Sequence, residues 1–308
     1  MCRRGIAEVS TLEHSLDVAK SSSSYTMLHD RGVPHAGAGD VVAKINYFPA
    51  DGTPIPNSAW KKRYLDDHDE FTRRMIIRDV CTSDTPFDLD QNGFQFLQLP
   101  SKIRVSREDS EDTVKREYYP ELEGIVKRLC AFTAGLLTGA STAYVFNHVM
   151  RAHSSPADKG ILDAHGRWQD IPAGHPHVDY AGDAAAIEGT KRELNFPPHI
   201  AQLFDTSTRF AFLGAWRPLR TVHKDPLAVC DATTVPDSDY QVRLPEQQQH
   251  AWYYMSEMEP HSIVVFKGFD TKQEKPGWRC PHTAFALPDT NDELPRESIE
   301  ARIVCFWA

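Results

Sequence analysis

The chain has 308 residues, 41% of them hydrophobic, with 34 Lys and Arg against 43 Asp and Glu for a net charge of −9. That balance permits a sizeable core and argues against nucleic acid as the main ligand, because phosphate recognition needs concentrated Lys and Arg. No run of about 18 apolar residues is present, which argues against a membrane span.

Arg3 and Arg4 are followed by no apolar segment, so no secretory signal is expected. The six cysteines show no Cys-x-x-Cys spacing and read as free thiols of a cytoplasmic protein. Residues 1–38 are polar, with four serines in a row at 21–24, and are expected to be a loosely ordered leader. Residues 39–308 are expected to form a single domain.

Val41, Val42, Ala43, Ile45 and Tyr47 predict a strand over 40–48, ended by Pro49 and an Asp-Gly-Thr-Pro turn. From Trp60 to Val80 the chain is highly charged, with apolar residues at Tyr64, Leu65, Phe71, Met75 and Ile76, which predicts a surface helix. Phe94, Phe96, Leu97 and Leu99 predict a strand that stops at Pro100. Residues 109–117 read as a polar loop. A helix follows over 118–137, from the spacing of Leu122, Ile125, Val126, Leu129, Phe132 and Leu136. Residues 143–150 read as a strand, 152–174 as a long loop and 183–194 as a helix. Six further strands are expected near 209–216, 227–230, 251–255, 262–269, 283–287 and 298–307, several of them continuously apolar. The fold expected is mainly β with flanking helices: a barrel-like β-sandwich, with the helices concentrated in the N-terminal half.

His177-Val178-Asp179 carries the chemistry. Side chains two apart on an extended segment share a face, so an imidazole and a carboxylate can meet one ion. Two histidines and one carboxylate leave three positions open on one side of iron(II), which suits oxygen chemistry. His282, in Pro281-His282-Thr283, is the preferred third ligand. His261 follows Pro260 in a Glu-rich turn, and His175 lacks an Asp two positions later.

Arg296-Glu297-Ser298 opens the last strand. A guanidinium forks onto a carboxylate, and the serine hydroxyl adds a donor. If the strands of 283 and 298 form a hairpin turning near Asn291, His282 stands opposite Glu300, with Arg296 further along the same strand. Arg302 shares that face and is a rival anchor. Arg217, after a strand in Trp216-Arg217-Pro218, is weighed as a substrate contact. Lys267, inside an apolar run, needs a partner, with Asp270 in reach. Trp252, Tyr253 and Tyr254 read as core.

Taken together, His177-Val178-Asp179-Tyr180, Ala215-Trp216-Arg217-Pro218-Leu219, Val265-Phe266-Lys267-Gly268-Phe269-Asp270, Pro281-His282-Thr283-Ala284-Phe285 and Pro295-Arg296-Glu297-Ser298-Ile299-Glu300-Ala301-Arg302 resemble the AsaB-type hydroxylase/desaturase family of fungal secondary metabolism. This family includes gibberellin desaturase-like proteins and is also described as CmcJ-like. The resemblance spans roughly residues 40–308. It implies a double-stranded β-helix, iron(II), 2-oxoglutarate and dioxygen, and oxidation of a small organic metabolite. It places the metal on His177, Asp179 and His282, and the cosubstrate anchor on Arg296 or Arg302. Tyr180 stands where many relatives carry Gln, so it is a candidate substrate contact. The competing expectations are an iron oxidase or isomerase that does not use 2-oxoglutarate, and a non-catalytic β-barrel that binds a small molecule.

Overall fold

A run of residues that buries every second side chain becomes a strand, and a continuously apolar run becomes a strand covered on both faces. Most of this chain obeys one rule or the other. The structure, a computed structural model, describes residues 7–8, 37–47, 72–83, 85–133, 140–152, 161–162, 168–169, 172–240 and 250–308. In chain order the early strands are β1 (Ala7–Glu8), β2 (Val41–Asn46), β3 (Thr72–Asp79) and β4 (Phe94–Gln98). Helix α1 (Glu111–Thr133) follows, then β5 (Thr142–Ala152) and the two-residue strands β6 (Ile161–Leu162) and β7 (Trp168–Gln169). Three helices, α2 (Ala184–Leu194), α3 (Pro198–Ala201) and α4 (Leu203–Thr206), precede the long β series. That series is β8 (Arg209–Pro218), β9 (Leu227–Cys230), β10 (Trp252–Tyr254), β11 (Ser262–Asp270), β12 (His282–Ala284) and β13 (Glu297–Trp307).

The strands form one six-stranded sheet, ordered β1-β4-β11-β8-β13-β5, and one five-stranded sheet, ordered β12-β9-β10-β3-β2. The chain passes repeatedly from one sheet to the other, as a double-stranded β-helix requires. Mainly β with flanking helices is therefore the architecture found, as expected.

Three apolar layers organise it. Between the sheets, Trp216, Val264 and Phe266 of the large sheet meet Leu227 and Val229 of the small one. Outside the large sheet, Ile299, Ala301, Ile303, Leu213 and Ala215 pack on Val114, Tyr118, Leu122, Val126 and Leu129 of α1. Outside the small sheet lie Ile45, Ile77, Trp252, Tyr254 and Phe285. Residues of opposite parity on one strand thus belong to different layers. On β13 the odd-numbered residues from 299 to 307 pack toward α1, while Val304 and Phe306 on the other face pack with Phe212, Phe269 and residues of α2–α4.

Several expectations change. The helix expected over 60–80 is, in its described part, the strand β3. Met75, Ile77 and Asp79 are buried in alternation while Arg73, Arg74 and Arg78 stay outside, a period of two hidden among the charges. Residues 60–71 lie outside the described set. Helix α1 begins at Glu111, inside the expected loop, because the Ser110 hydroxyl accepts the Thr113 amide (3.2 Å) as an N-cap. Helix α2 matches its expectation: Asp183 caps it through the Ala186 amide (2.8 Å), and Asn195 ends it in the left-handed region at φ 45°.

The β12–β13 hairpin does not form. β12 pairs with β9 in the small sheet, while β13 lies between β5 and β8 in the large one. The connection from Phe285 to Arg296 crosses between sheets, so sequence neighbours became facing walls. Of the expected leader, β1 is described and pairs parallel with β4. Cys230, Cys280 and Cys305 are free and buried. Cys81 is disulfide-bonded, against the expectation of free thiols throughout.

Candidate metal centre

His177 and His282 are joined before any ion is considered. Each donates its backbone N–H to the other's carbonyl, at 3.1 and 3.0 Å, in an isolated antiparallel bridge. Directly opposed residues point the same way, and the two rings stand 4.4 Å apart between centroids. Asp179 follows two positions later on the same face. His177, Asp179 and His282 each offer a ligand atom, all within 4.8 Å of one another.

The donor set fits a divalent metal. His177 Nδ1 lies 2.8 Å from the His175 carbonyl, and His282 Nδ1 lies 3.2 Å from the Cys280 carbonyl. A carbonyl only accepts, so both Nδ1 atoms carry the proton and both Nε2 lone pairs are left for a ligand role. Burial, followed by the nearby His282, pushes His177 down to about 4, so its ring stays neutral at neutral pH. Asp179 is held below the ordinary carboxylate range. Burial opposes its ionisation, but His282, Arg302, His177 and Arg151 outweigh it. Two imidazole nitrogens and one carboxylate form the facial set suited to iron(II).

The supporting walls are apolar and close. Phe266 lies 4.3 Å from the His282 ring. It fits because Gly214, its register partner on β8, has no side chain; a Cβ there would overlap the Phe266 ring. Tyr180 stacks on Phe212 at 4.5 Å. Its ring also presses on Gly268, where a Cβ would meet it at 2.8 Å.

The other candidates separate by strand parity. Arg302 faces the ligands, with Nη2 3.8 Å from Asp179 and 3.6 Å from Glu300. Arg296 is buried between the sheets. Its guanidinium carbon lies 5.1 Å from the Trp216 ring, and its Nη1 donates to the Asp225 carbonyl at 2.7 Å. Ser298 is buried on the same strand face. Arg217 leaves the sheet on the α1 side, where it donates to the Tyr118 hydroxyl (3.0 Å) and to the carbonyls of Leu99 and Pro260 (both 2.8 Å). Its parity places it in the outer layer, away from the ligands. His175 is buried with Nδ1 3.1 Å from the Asn46 carbonyl, and His261 is half-buried beside Glu259. Sequence reasoning did not single out Phe266, Gly214 or Gly268; only the pairing of β8 with β11 gives them their place.

A cavity of about 130 Å³ adjoins the His177 segment and is lined by Tyr47, Pro176, Val178, Tyr240, His250 and Trp252. Its polar groups already satisfy one another. His250 meets Asp239 (2.9 Å) and the Tyr47 hydroxyl (3.1 Å), which also accepts the Trp252 N–H (2.7 Å).

Known proteins resemble this chain over most of its length. A family model described as Oxidoreductase/YMDC permease-like domain matches residues 45–306. The hydroxylase/desaturase efuI of Hormonema carpetanum is 32% identical over 77% of this chain and 84% of its own length. The alpha-ketoglutarate-dependent dioxygenase phiK of Fungal sp. (strain ATCC 74256) is 30% identical over 72% and 80%. The gibberellin cluster GA4 desaturase of Gibberella fujikuroi is 25% identical over 76% and 86%. Among solved structures, the iron and alpha-ketoglutarate-dependent endoperoxidase NvfI matches with a TM-score of 0.64 at 25% identity, over 87% of this chain and 97% of that one. The chain belongs to this hydroxylase/desaturase family of iron(II)- and 2-oxoglutarate-dependent oxidoreductases.

Proposed function

We propose that the protein hydroxylates or desaturates a small organic metabolite, with His177, Asp179 and His282 as the iron ligands and Arg296, beside Ser298, as the anchor of 2-oxoglutarate. The observation that carries the metal assignment is the shared geometry of the three donors, with both Nδ1 atoms tied to backbone carbonyls. When bound, iron(II) and 2-oxoglutarate supply the oxidising power for removing hydrogen from an unactivated carbon.

The residues of the chain orient, anchor and exclude water. The backbone bridge holds the two imidazoles at a fixed separation. Phe266, against the His282 ring, and the Tyr180–Phe212 stack give the centre apolar walls that would exclude bulk water. Position supports Arg296 over Arg302 as the anchor. A five-carbon diacid held at the donor set by one end would need its far carboxylate met at a distance from Asp179. Arg302 stands beside a ligand oxygen, whereas Arg296 lies against Trp216 deeper between the sheets. A cytoplasmic setting is part of this reading; among the described helices, none is long and apolar enough to cross a membrane.

The test is succinate release from 2-oxoglutarate by protein loaded anaerobically with iron(II) and then exposed to air with ascorbate. Release that is lost in His282→Ala is expected. In Arg296→Ala the KM for 2-oxoglutarate should rise about tenfold or more, the scale of one charge-assisted pair. Oxygen consumption with no succinate would reject the role of 2-oxoglutarate, and unchanged release in His282→Ala would reject the metal assignment.

A further inference from the structure

We propose that Arg302 and Asn147 form the polar wall that recognises the organic substrate, and that this substrate is an oxygenated acid. Its carboxylate would be taken by Arg302 and a hydroxyl donated to Asn147. The proposal rests on the functional reading above and names the substrate class for the same site.

Arg302 is a buried-side cation without close partners. Its side chain is 26% exposed, and its two carboxylate neighbours stand at 3.8 and 3.6 Å. Both distances exceed a hydrogen bond, so the fork of five N–H donors has no acceptor among the described residues. Asp179 is also the carboxylate assigned to the metal in this reading, which leaves Glu300 as the adjacent counter-charge among the described residues. An arginine held this way has its donors ready for an incoming acid.

Asn147 is an independent observation on the other strand. It stands directly opposite Arg302 in the β5–β13 ladder, next to the register shift between Arg302 and Ile303. Directly opposed residues project to the same face, so Asn147 also looks toward the ligands. Its Oδ1 is buried and has no hydrogen-bond partner among the described residues. An unmet buried acceptor is costly, and a donor on a bound molecule would relieve it. The amide and the guanidinium sit on neighbouring strands about 5 Å apart, close enough for one small polar head to touch both. The Tyr180–Phe212 stack and Phe266 offer apolar surface for the rest of the molecule.

The test uses 3-hydroxybenzoate and its methyl ester as probes. Each is titrated under nitrogen into protein loaded with iron(II) and 2-oxoglutarate, and binding is followed as a shift in the visible band of the cosubstrate–iron chelate. The acid should bind about tenfold or more tightly than the ester, as one charge-assisted contact implies. Arg302→Met should bring the acid down to the affinity of the ester, and Arg302→Lys should keep part of the preference. Asn147→Leu should weaken both probes together, because both carry the hydroxyl. In every variant the affinity for 2-oxoglutarate should stay near wild type, with circular dichroism confirming the fold. The proposal is overturned if the wild type binds acid and ester equally, or binds neither. It is also overturned if Arg302→Met loses 2-oxoglutarate while keeping the acid preference. A wild-type protein that forms no chelate band rejects the functional reading itself, and this proposal with it. A normal band that is indifferent to the acid rejects this proposal alone.

Discussion

Two charged clusters are built into the same sandwich, and they are built differently. In the first, Lys267 donates to Asp90 and Asp270 at 2.6 Å each, while Arg209 reaches Asp90 at 2.7 Å and Asp270 at 3.0 Å. Lys267 and Asp270 are almost entirely shielded from water. In the second, His177, Asp179, Arg302 and Glu300 approach one another only at 3.6–3.9 Å. The first cluster has made its bonds and is finished. The second has its groups collected and its bonds unmade, the condition of a site that awaits ligands. A charge inside a protein is informative less by being buried than by whether its donors and acceptors are already spent.

The difference is open to attack, and the strongest blow falls on the open cluster. Asp179→Ala should abolish iron retention after desalting and remove turnover, while the melting temperature of the metal-free protein hardly changes. Iron analysis and a thermal melt read the two halves of that statement. Lys267→Met should do the reverse. Removing the cation from the closed cluster strands two carboxylates on Arg209 alone, and breaking such a buried pair costs roughly 3–5 kcal/mol, measurable by urea unfolding. Iron per folded molecule should stay constant. A proportional loss would show that the clusters are coupled and dissolve the distinction.

Gly214→Ala tests the wall between sheet and ligand. The added methyl displaces the Phe266 ring, which leans on His282. The expected cost is about 1–3 kcal/mol, with weaker iron binding. The smallest effect concerns acid. Burial opposes ionisation of Asp90, but Lys267 and Arg209 outweigh it and hold its carboxyl below the usual range. A depressed folded value gives stability that is present above the unfolded value of about 4 and disappears as pH falls through the folded one. Asp90→Asn should therefore flatten the acid limb of stability below about pH 4. An unaltered slope would mean that Asp90 is not the group responsible.

Much of the centre was legible because its signals are local. His177 and Asp179 lie two apart, so their shared face follows from the pleat alone. The long apolar strands and the capped helix α2 announce themselves in the same way. What escaped depends on partners far along the chain. β3 read as a helix because Arg73, Arg74 and Arg78 masked the alternation of Met75 and Ile77. β12 and β13 read as a hairpin because adjacency usually means pairing, whereas here the chain changes sheets. Arg217 and Arg302 look alike in the sequence. One residue of strand parity sends the first to the tyrosine of α1 and the second toward Asp179. Residues 143–150 read as a strand, but the register of Asn147 with Arg302 depends on a ladder between residues some 150 positions apart.

The reciprocal clasp between His177 and His282 means that the ion meets a seat already set out for it. Such a seat has little say in who sits down. Neutral nitrogen and carboxylate donors bind later first-row divalent metals, nickel and zinc among them, more tightly than iron(II). The protein isolated from cells is then expected to carry whichever metal its surroundings offered, and occupancy by the wrong one would silence the enzyme without disturbing its shape.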